Sequence, residues 1–474
     1  MTSSMPTSPP STFDQLSLSP EAVANLTALG YTQMTPIQAA SLPLALLGKD
    51  LIAQAKTGSG KTAAFALALL ANLNPRRFVV QSLVLCPTRE LADQVATEIR
   101  RLARAQDNVK LVTLCGGVPL RGQTASLEHG AHIVVGTPGR VMDHLERGSL
   151  QIDALNTLVL DEADRMLDMG FFDDITVVAK QCPKERQTLL FSATYPEGIA
   201  KLSAQFMRSP QMIKVEAQHA RDQIEQRWYE IAGDSRRGAN ANERFAAVAQ
   251  MLAHFRPEST LAFCNTKAQC KQLEIFLQAQ GYAAQALYGE LEQRERDQVL
   301  VQFANKSCSV LVATDVAARG LDIANLQAVI NVDVTPDAEV HIHRIGRTGR
   351  AGESGLALNL ASMDEMGNVG KIEQLQGRET TWSKLAELTP TSNAPLLPPM
   401  ATLHIQGGRK EKIRPGDVLG ALTADLGYTR EQVGKITVNE FSTYVAVERK
   451  LGAEVAKRLA TARIKGKSVK VRLL

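Results

Sequence analysis

The chain predicts an α/β architecture of two doubly wound parallel-sheet domains in tandem, followed by a small α+β domain. Three observations carry that prediction. Apolar runs rich in Val, Leu and Ile alternate with helical stretches, at Ser82–Cys86, Lys110–Leu114, His132–Val135, Thr157–Leu160, Thr188–Phe191 and Met212–Val215. Such uninterrupted runs suit strands buried on both faces. The alternation then restarts at Thr260–Cys264, Ala284–Leu287, Ser309–Val312, Ala328–Val332 and Leu356–Leu360, which argues for a second sheet. Finally, a Ser/Asn/Pro-rich break precedes Ala401–Gln406, Asp417–Leu426, Lys435–Val438, Thr443–Glu448, Ala453–Ala460 and Ser468–Leu473, in the order β-α-β-β-α-β. Gly427 supplies the stop after the first of those helices.

The expected division is a loose tail over 1–12, a first domain over 13–217 and a polar linker over 218–242 containing Gly233 and Gly238. A second domain over 243–390, a linker over 391–399 and a C-terminal domain over 400–474 complete it. A length of 474 residues is too great for one core. No apolar run, that from Ala63 to Leu73 included, is long enough to cross a bilayer, and the first residues lack a signal pattern, so no membrane partner is expected. Six cysteines occur without a Cys-x-x-Cys pair or histidines at zinc spacing, which points to reduced thiols, no structural metal and a cytoplasmic location. From Met400 to Leu474 there are 15 Lys/Arg against 7 Asp/Glu, a net of +8, while the remainder carries −4. A basic module on a mildly acidic body is the footprint of a nucleic-acid anchor, although a solvated basic surface gives the same count.

Polar motifs follow the carboxyl ends of the predicted strands, where open α/β sheets place their ligands. Ala55-Lys56-Thr57-Gly58-Ser59-Gly60-Lys61-Thr62 reads as a phosphate-binding loop. Its glycines admit phosphate to backbone N–H groups, Lys61 can reach the β/γ-phosphates and the Thr62 hydroxyl can serve Mg²⁺. Asp161-Glu162-Ala163-Asp164 follows a buried strand. There Asp161 can hold Mg²⁺ through water and Glu162 can orient and deprotonate an attacking water. His343-Arg344-Ile345-Gly346-Arg347-Thr348-Gly349-Arg350 spaces three arginines by three residues. Arg347 and Arg350 can stabilise charge on a γ-phosphate, with a phosphate-backbone clamp the open alternative, more so for Arg344. Gly320 and Asp322 read as neighbours of the nucleotide, Asp322 accepting from a ribose hydroxyl.

This ordered set resembles the DEAD-box RNA helicases over Phe13 to Gly355. The resemblance implies two RecA-like domains that close on ATP and RNA and melt a short duplex locally. It also implies that Phe13 stacks on adenine while Gln38 reads its edge. First-domain RNA contacts fall on Pro87, Thr88, Arg89, Gly116, Gly117, Thr137, Pro138, Gly139 and Arg140. Those of the second domain fall on Asn265, Thr266, Gln293, Arg296, Thr314 and Asp315. Ser192, Ala193, Thr194 and His343 would couple hydrolysis to strand separation. The tail, through Ile413–Leu422 and Ile464–Lys467, is similar to the RRM-like RNA-binding domain of the DbpA-type branch. That implies docking on a hairpin of 23S ribosomal RNA during 50S assembly; a general basic RNA tether is the alternative. Only His404 and Tyr444, with Phe441 nearby, offer rings where RNA-recognition sheets stack bases. Arg409, Lys410, Lys412, Arg414, Lys465 and Lys467 are therefore the expected contacts, with Tyr444 supplementary or simply packed on a neighbour.

Overall fold

The computed structural model describes residues 11–55, 58–195, 197–215, 224–232, 241–318, 326–349, 354–392 and 396–474. It forms two compact units, one holding the first sheet, the other holding the second sheet and the C-terminal domain.

The first unit is a parallel sheet of seven strands: β1 Leu51–Gln54, β2 Ser82–Leu85, β3 Leu111–Leu114, β4 Ile133–Gly136, β5 Thr157–Leu160, β6 Gln187–Ser192 and β7 Gln211–Lys214. They lie side by side in the order β3-β4-β2-β5-β6-β1-β7. Successive residues of each run enter different cores. Val84, Val135, Val159 and Leu189 pack on one face with the helix Lys61–Ala71, while Leu83, Leu85, Val134, Leu158 and Leu190 pack on the other. Each such side chain contributes about 1.5–3 kcal/mol when fully buried, so both faces specify the register.

The second sheet repeats the plan with β8 Ile224–Ile231, β9 Thr260–Phe263, β10 Ala284–Leu287, β11 Val310–Ala313, β12 Ala328–Asn331, β13 Gly355–Ser362 and β14 Trp382–Ser383, ordered β10-β11-β9-β12-β13-β8-β14. Here the expected linker over 218–242 is corrected. Ile224–Ile231 is a strand paired with β13 along eight residues, and a helix starts at Ala241. Its Glu225, Gln226, Arg227 and Glu230 gave it a polar reading, yet Trp228, Tyr229 and Ile231 are buried.

The C-terminal domain has β15 Met400–Gln406, β16 Val433–Val438, β17 Ser442–Glu448 and β20 Lys470–Leu473 in the antiparallel order β16-β17-β15-β20, with a hairpin of β18 Arg463–Ile464 and β19 Lys467–Ser468. Leu403, Ile405, Val445 and Val447 cover Val418, Leu422, Val455 and Leu459. Other β15 and β20 residues are joined to the second-sheet domain. Thr402 Oγ1 accepts from Asn305 Nδ2 at 3.1 Å and lies 2.6 Å from Ser307 Oγ, Met400 N donates to Lys306 O at 3.2 Å, and Arg472 donates to Gln298 at 3.3 Å. Tyr444 is only 3% exposed, its ring 5.0 Å from that of His404, with Arg294 and Asp297 near enough to act on its hydroxyl. The expectation of Tyr444 as a supplementary RNA-stacking ring is thereby corrected: the ring is packed, not presented.

Candidate functional site

In the first unit, β1 delivers the chain to the phosphate loop. Gly58 and Gly60 adopt φ of 81° and 93°, left-handed values that favour glycine. A Cβ on Gly60 would lie 2.5 Å from Gln38 Nε2. Gln38 itself spans two segments: its Oε1 accepts from Thr35 N at 2.9 Å and its Nε2 donates to Gly60 O at 3.1 Å. The nucleotide-selecting glutamine of the sequence reading is thus hydrogen-bonded to the phosphate loop itself. Phe13 is buried edge-on to Tyr31 at 6.2 Å. Lys61 Nζ donates to Ala55 O at 2.8 Å, and the buried Ser59 hydroxyl has no hydrogen-bond partner among the described residues.

Asp161 and Glu162 stand at the end of β5, both buried. Burial pushes the Asp161 carboxyl up to about 7, against the pull of Lys61 and with the push of Glu162. Glu162 sits in the left-handed region, φ 50°, and its carboxylate lies 3.3 Å from Arg165 Nε. Asp164 binds the next motif. Its Oδ2 accepts from Ala193 N at 3.1 Å, Thr194 N at 2.9 Å and Thr194 Oγ1 at 2.9 Å, while Ser192 Oγ accepts from Asp164 N at 3.3 Å. Four hydrogen bonds therefore tie the acidic motif to the Ser-Ala-Thr motif.

The first-unit residues expected to meet RNA lie on three loops. Thr88 caps the helix Arg89–Leu102, whose Arg89 pairs with Asp93 at 3.8 Å, and Pro87 is buried behind it. Gly116 and Gly117 are exposed, and Thr137, Pro138 and Gly139 open the helix Pro138–Glu146. Arg140 donates to Val118 O at 3.0 Å and Gln123 Oε1 at 2.8 Å, while Gln123 also donates to Cys115 O at 2.9 Å. Gln123, which sequence reasoning missed, thus ties two of these loops together.

In the second unit Arg344 is 1% exposed. Its guanidinium donates to both Asp315 oxygens at 2.7 Å, to Asn331 Oδ1 at 3.2 Å, to Asp333 O at 2.8 Å and to Asn265 Oδ1 at 2.9 Å. The phosphate-clamp alternative for Arg344 is corrected, because these acceptors saturate a buried guanidinium. Asp333 accepts from Asn265 N and Gln269 Nε2, each at 2.9 Å, and Arg244 lies behind it at 3.5 Å. Arg244 also reaches Glu365 at 2.6 Å. Both residues escaped the sequence reading, yet signals existed. Asp333 follows a strand end as the motifs do, and Arg244 interrupts the apolar stripe of Phe245, Val248, Met251 and Leu252. Substituting Arg244 by Met should cost roughly 3 kcal/mol, because Glu365 and Asp333 keep buried charge without it; denaturant unfolding of the two proteins reads the difference. Thr266 caps its helix, Gln293 donates to Asp297 at 2.8 Å, Arg296 to Ala317 O at 2.7 Å, and Thr314 precedes the paired Asp315. Arg347 is buried and His343 half-buried.

Three C-terminal loops converge. Arg409 and Lys410 N donate to Asn439 and Glu440 O at 2.9 and 3.0 Å, Lys465 Nζ to Lys412 O at 3.0 Å and Lys467 Nζ to Glu411 O at 3.3 Å. Arg414 is exposed beside them in sequence, and Phe441, 58% exposed, carries the Lys410 ammonium 4.6 Å from its ring centre. Lys56, Thr57, Gly320, Asp322 and Arg350 lie outside the described residues.

Family models match along the chain: DEAD/DEAH box helicase over residues 35–202, helicase conserved C-terminal domain over 243–352 and DbpA RNA-binding domain over 402–473. The chain belongs to the DEAD-box ATP-dependent RNA helicases. It is 50% identical over 460 residues to the ATP-dependent RNA helicase DbpA of Escherichia coli, covering 96% of this chain and 98% of that one. It is 40% identical over 380 residues to the DEAD-box ATP-dependent RNA helicase CshA of Geobacillus kaustophilus, covering 80% and 78%. Among solved structures, Saccharomyces cerevisiae Dbp5 bound to RNA and ADP BeF3 superposes with a TM-score of 0.71 at 29% identity, over 79% of this chain and 96% of that one. The two sheets are RecA-like, the enzyme uses ATP and binds RNA, and among the described residues no helix is long and apolar enough to cross a membrane.

Proposed function

We propose that this helicase works in the cytoplasm on 23S ribosomal RNA during assembly of the 50S subunit, directed there by its C-terminal domain. The observation that supports this reading is the meeting of the loops that carry Arg409, Lys410, Lys412, Lys465 and Lys467, with the Lys410 ammonium over an exposed Phe441. Cations beside an open ring suit a looped-out base and its flanking phosphates.

In the core, Lys61 leaves the Ala55 carbonyl for the β/γ-phosphates, and the Ser59 hydroxyl finds an acceptor there. Thr62 and Asp161 fit Mg²⁺, the one offering a hydroxyl and the other a buried carboxylate. When bound, that ion neutralises charge on the phosphate oxygens. Glu162 orients and deprotonates the attacking water, Arg347 and Arg350 stabilise the transferring phosphoryl group, and Asp164 passes the change to Ser192-Ala193-Thr194. Arg344 positions Asn265 and Asp315 for the RNA backbone rather than touching it.

ATPase rate against RNA concentration tests the targeting. The full chain should be half-activated by a large-subunit ribosomal RNA fragment at roughly 100-fold lower concentration than by unrelated structured RNA, on the scale of two or more lost base or phosphate contacts. Replacing Lys410, Lys412, Lys465 and Lys467 together by Ala should erase that preference and leave the maximal rate. Equal activation of the parent by both RNAs would make the tail a general tether instead.

A further inference from the structure

We infer that Arg165 is a positioning residue for ATP hydrolysis, holding the Glu162 carboxylate where it meets the attacking water; this rests on the proposed role of Glu162. Arg165 stands in the first turn of the helix Ala163–Asp168, three residues beyond Glu162. Its Nε lies 3.3 Å from Glu162 Oε2, and both side chains are enclosed, 7% and 6% exposed. The pair differs from surface i,i+3 pairs, which water screens. A guanidinium taken out of water needs a carboxylate, and parting the two would leave opposite charges buried and uncompensated.

Glu162 needs such a restraint for two further reasons. It is the residue before the helix and adopts φ 50°, a conformation that an ordinary side chain does not select unaided. It also lies between two other buried carboxylates, Asp161 and Asp164. Asp164 is held by Ala193 and Thr194, and Asp161 faces Lys61, so each acidic group of the motif has its own cationic or N–H partner. For Glu162 an enclosed partner of this kind is Arg165. Without it the carboxylate swings away from its two acidic neighbours, and a displacement of about 1 Å at a reacting group can cost on the order of 10²-fold in rate.

The test is a double-substitution cycle with single-turnover, RNA-saturated ATP hydrolysis and binding of a fluorescent non-hydrolysable ATP analogue. Arg165→Met should lower the hydrolysis rate roughly 10- to 100-fold while analogue binding and the activating RNA concentration stay within about threefold. Arg165→Lys should recover part of the rate. In a Glu162→Gln background, Arg165→Met should change the residual rate less than about twofold, since the two act as one unit. Parental hydrolysis in Arg165→Met, a gain in RNA-independent turnover, or an equal loss in the Glu162→Gln background would each overturn the assignment. Parental turnover in Glu162→Gln alone sinks the role of Glu162 itself and is read separately.

Discussion

Glu162→Gln binds ATP and RNA as the parent does and loses nearly all turnover. The amide keeps the size of the side chain but cannot take a proton from water, so a general-base contribution of roughly 10²–10⁴ in rate disappears. Affinity should survive because the groups proposed for the phosphates are Lys61, the loop N–H groups and Ser59, none of which involves the substituted oxygen. Equilibrium binding of an ATP analogue and steady-state phosphate release measure the two quantities side by side. Turnover at the parental rate would remove Glu162 from the chemistry.

Arg347→Ala lowers turnover far more than it lowers ATP affinity. An arginine that meets charge developing on a γ-phosphate is worth roughly 10³–10⁵ in rate, and that charge is smaller in the ground state. Arg347 is buried, one turn beyond Arg344, and its backbone N donates to Arg344 O at 3.1 Å. The five acceptors of the Arg344 guanidinium fix the backbone turn that carries Arg347. Measuring kcat and KM for ATP at saturating RNA separates the effects: a loss confined to KM would mark Arg347 as a binding group only.

Much of the fold was legible because a parallel strand buried on both faces has no choice but a continuous apolar run. Thr157–Leu160 and Ala284–Leu287 fall at the expected residues for that reason. The nucleotide motifs were legible because they sit just past those runs. β8 was not: Glu225, Gln226, Arg227 and Glu230 break the run, and only pairing with β13 makes it a strand. The role of Arg344 was hidden because its acceptors, Asn265, Asp315, Asn331 and Asp333, come from separate strand ends, and a local pattern cannot say which arginine they saturate. Tyr444 shows the same limit. Alternation placed it on a sheet face, but whether that face meets RNA or protein depends on Thr402 joining Asn305 and Ser307, a contact across about a hundred residues of chain.

The most direct test compares ATP hydrolysis with an RNA hairpin-bearing duplex and with DNA of equal sequence, at matched concentration and salt, alongside release of the shorter strand. Strong stimulation and strand release by RNA, with neither by DNA, is the result expected of RNA-gated hydrolysis coupled to local unwinding. Equal stimulation by both, or hydrolysis indifferent to either, would contradict it.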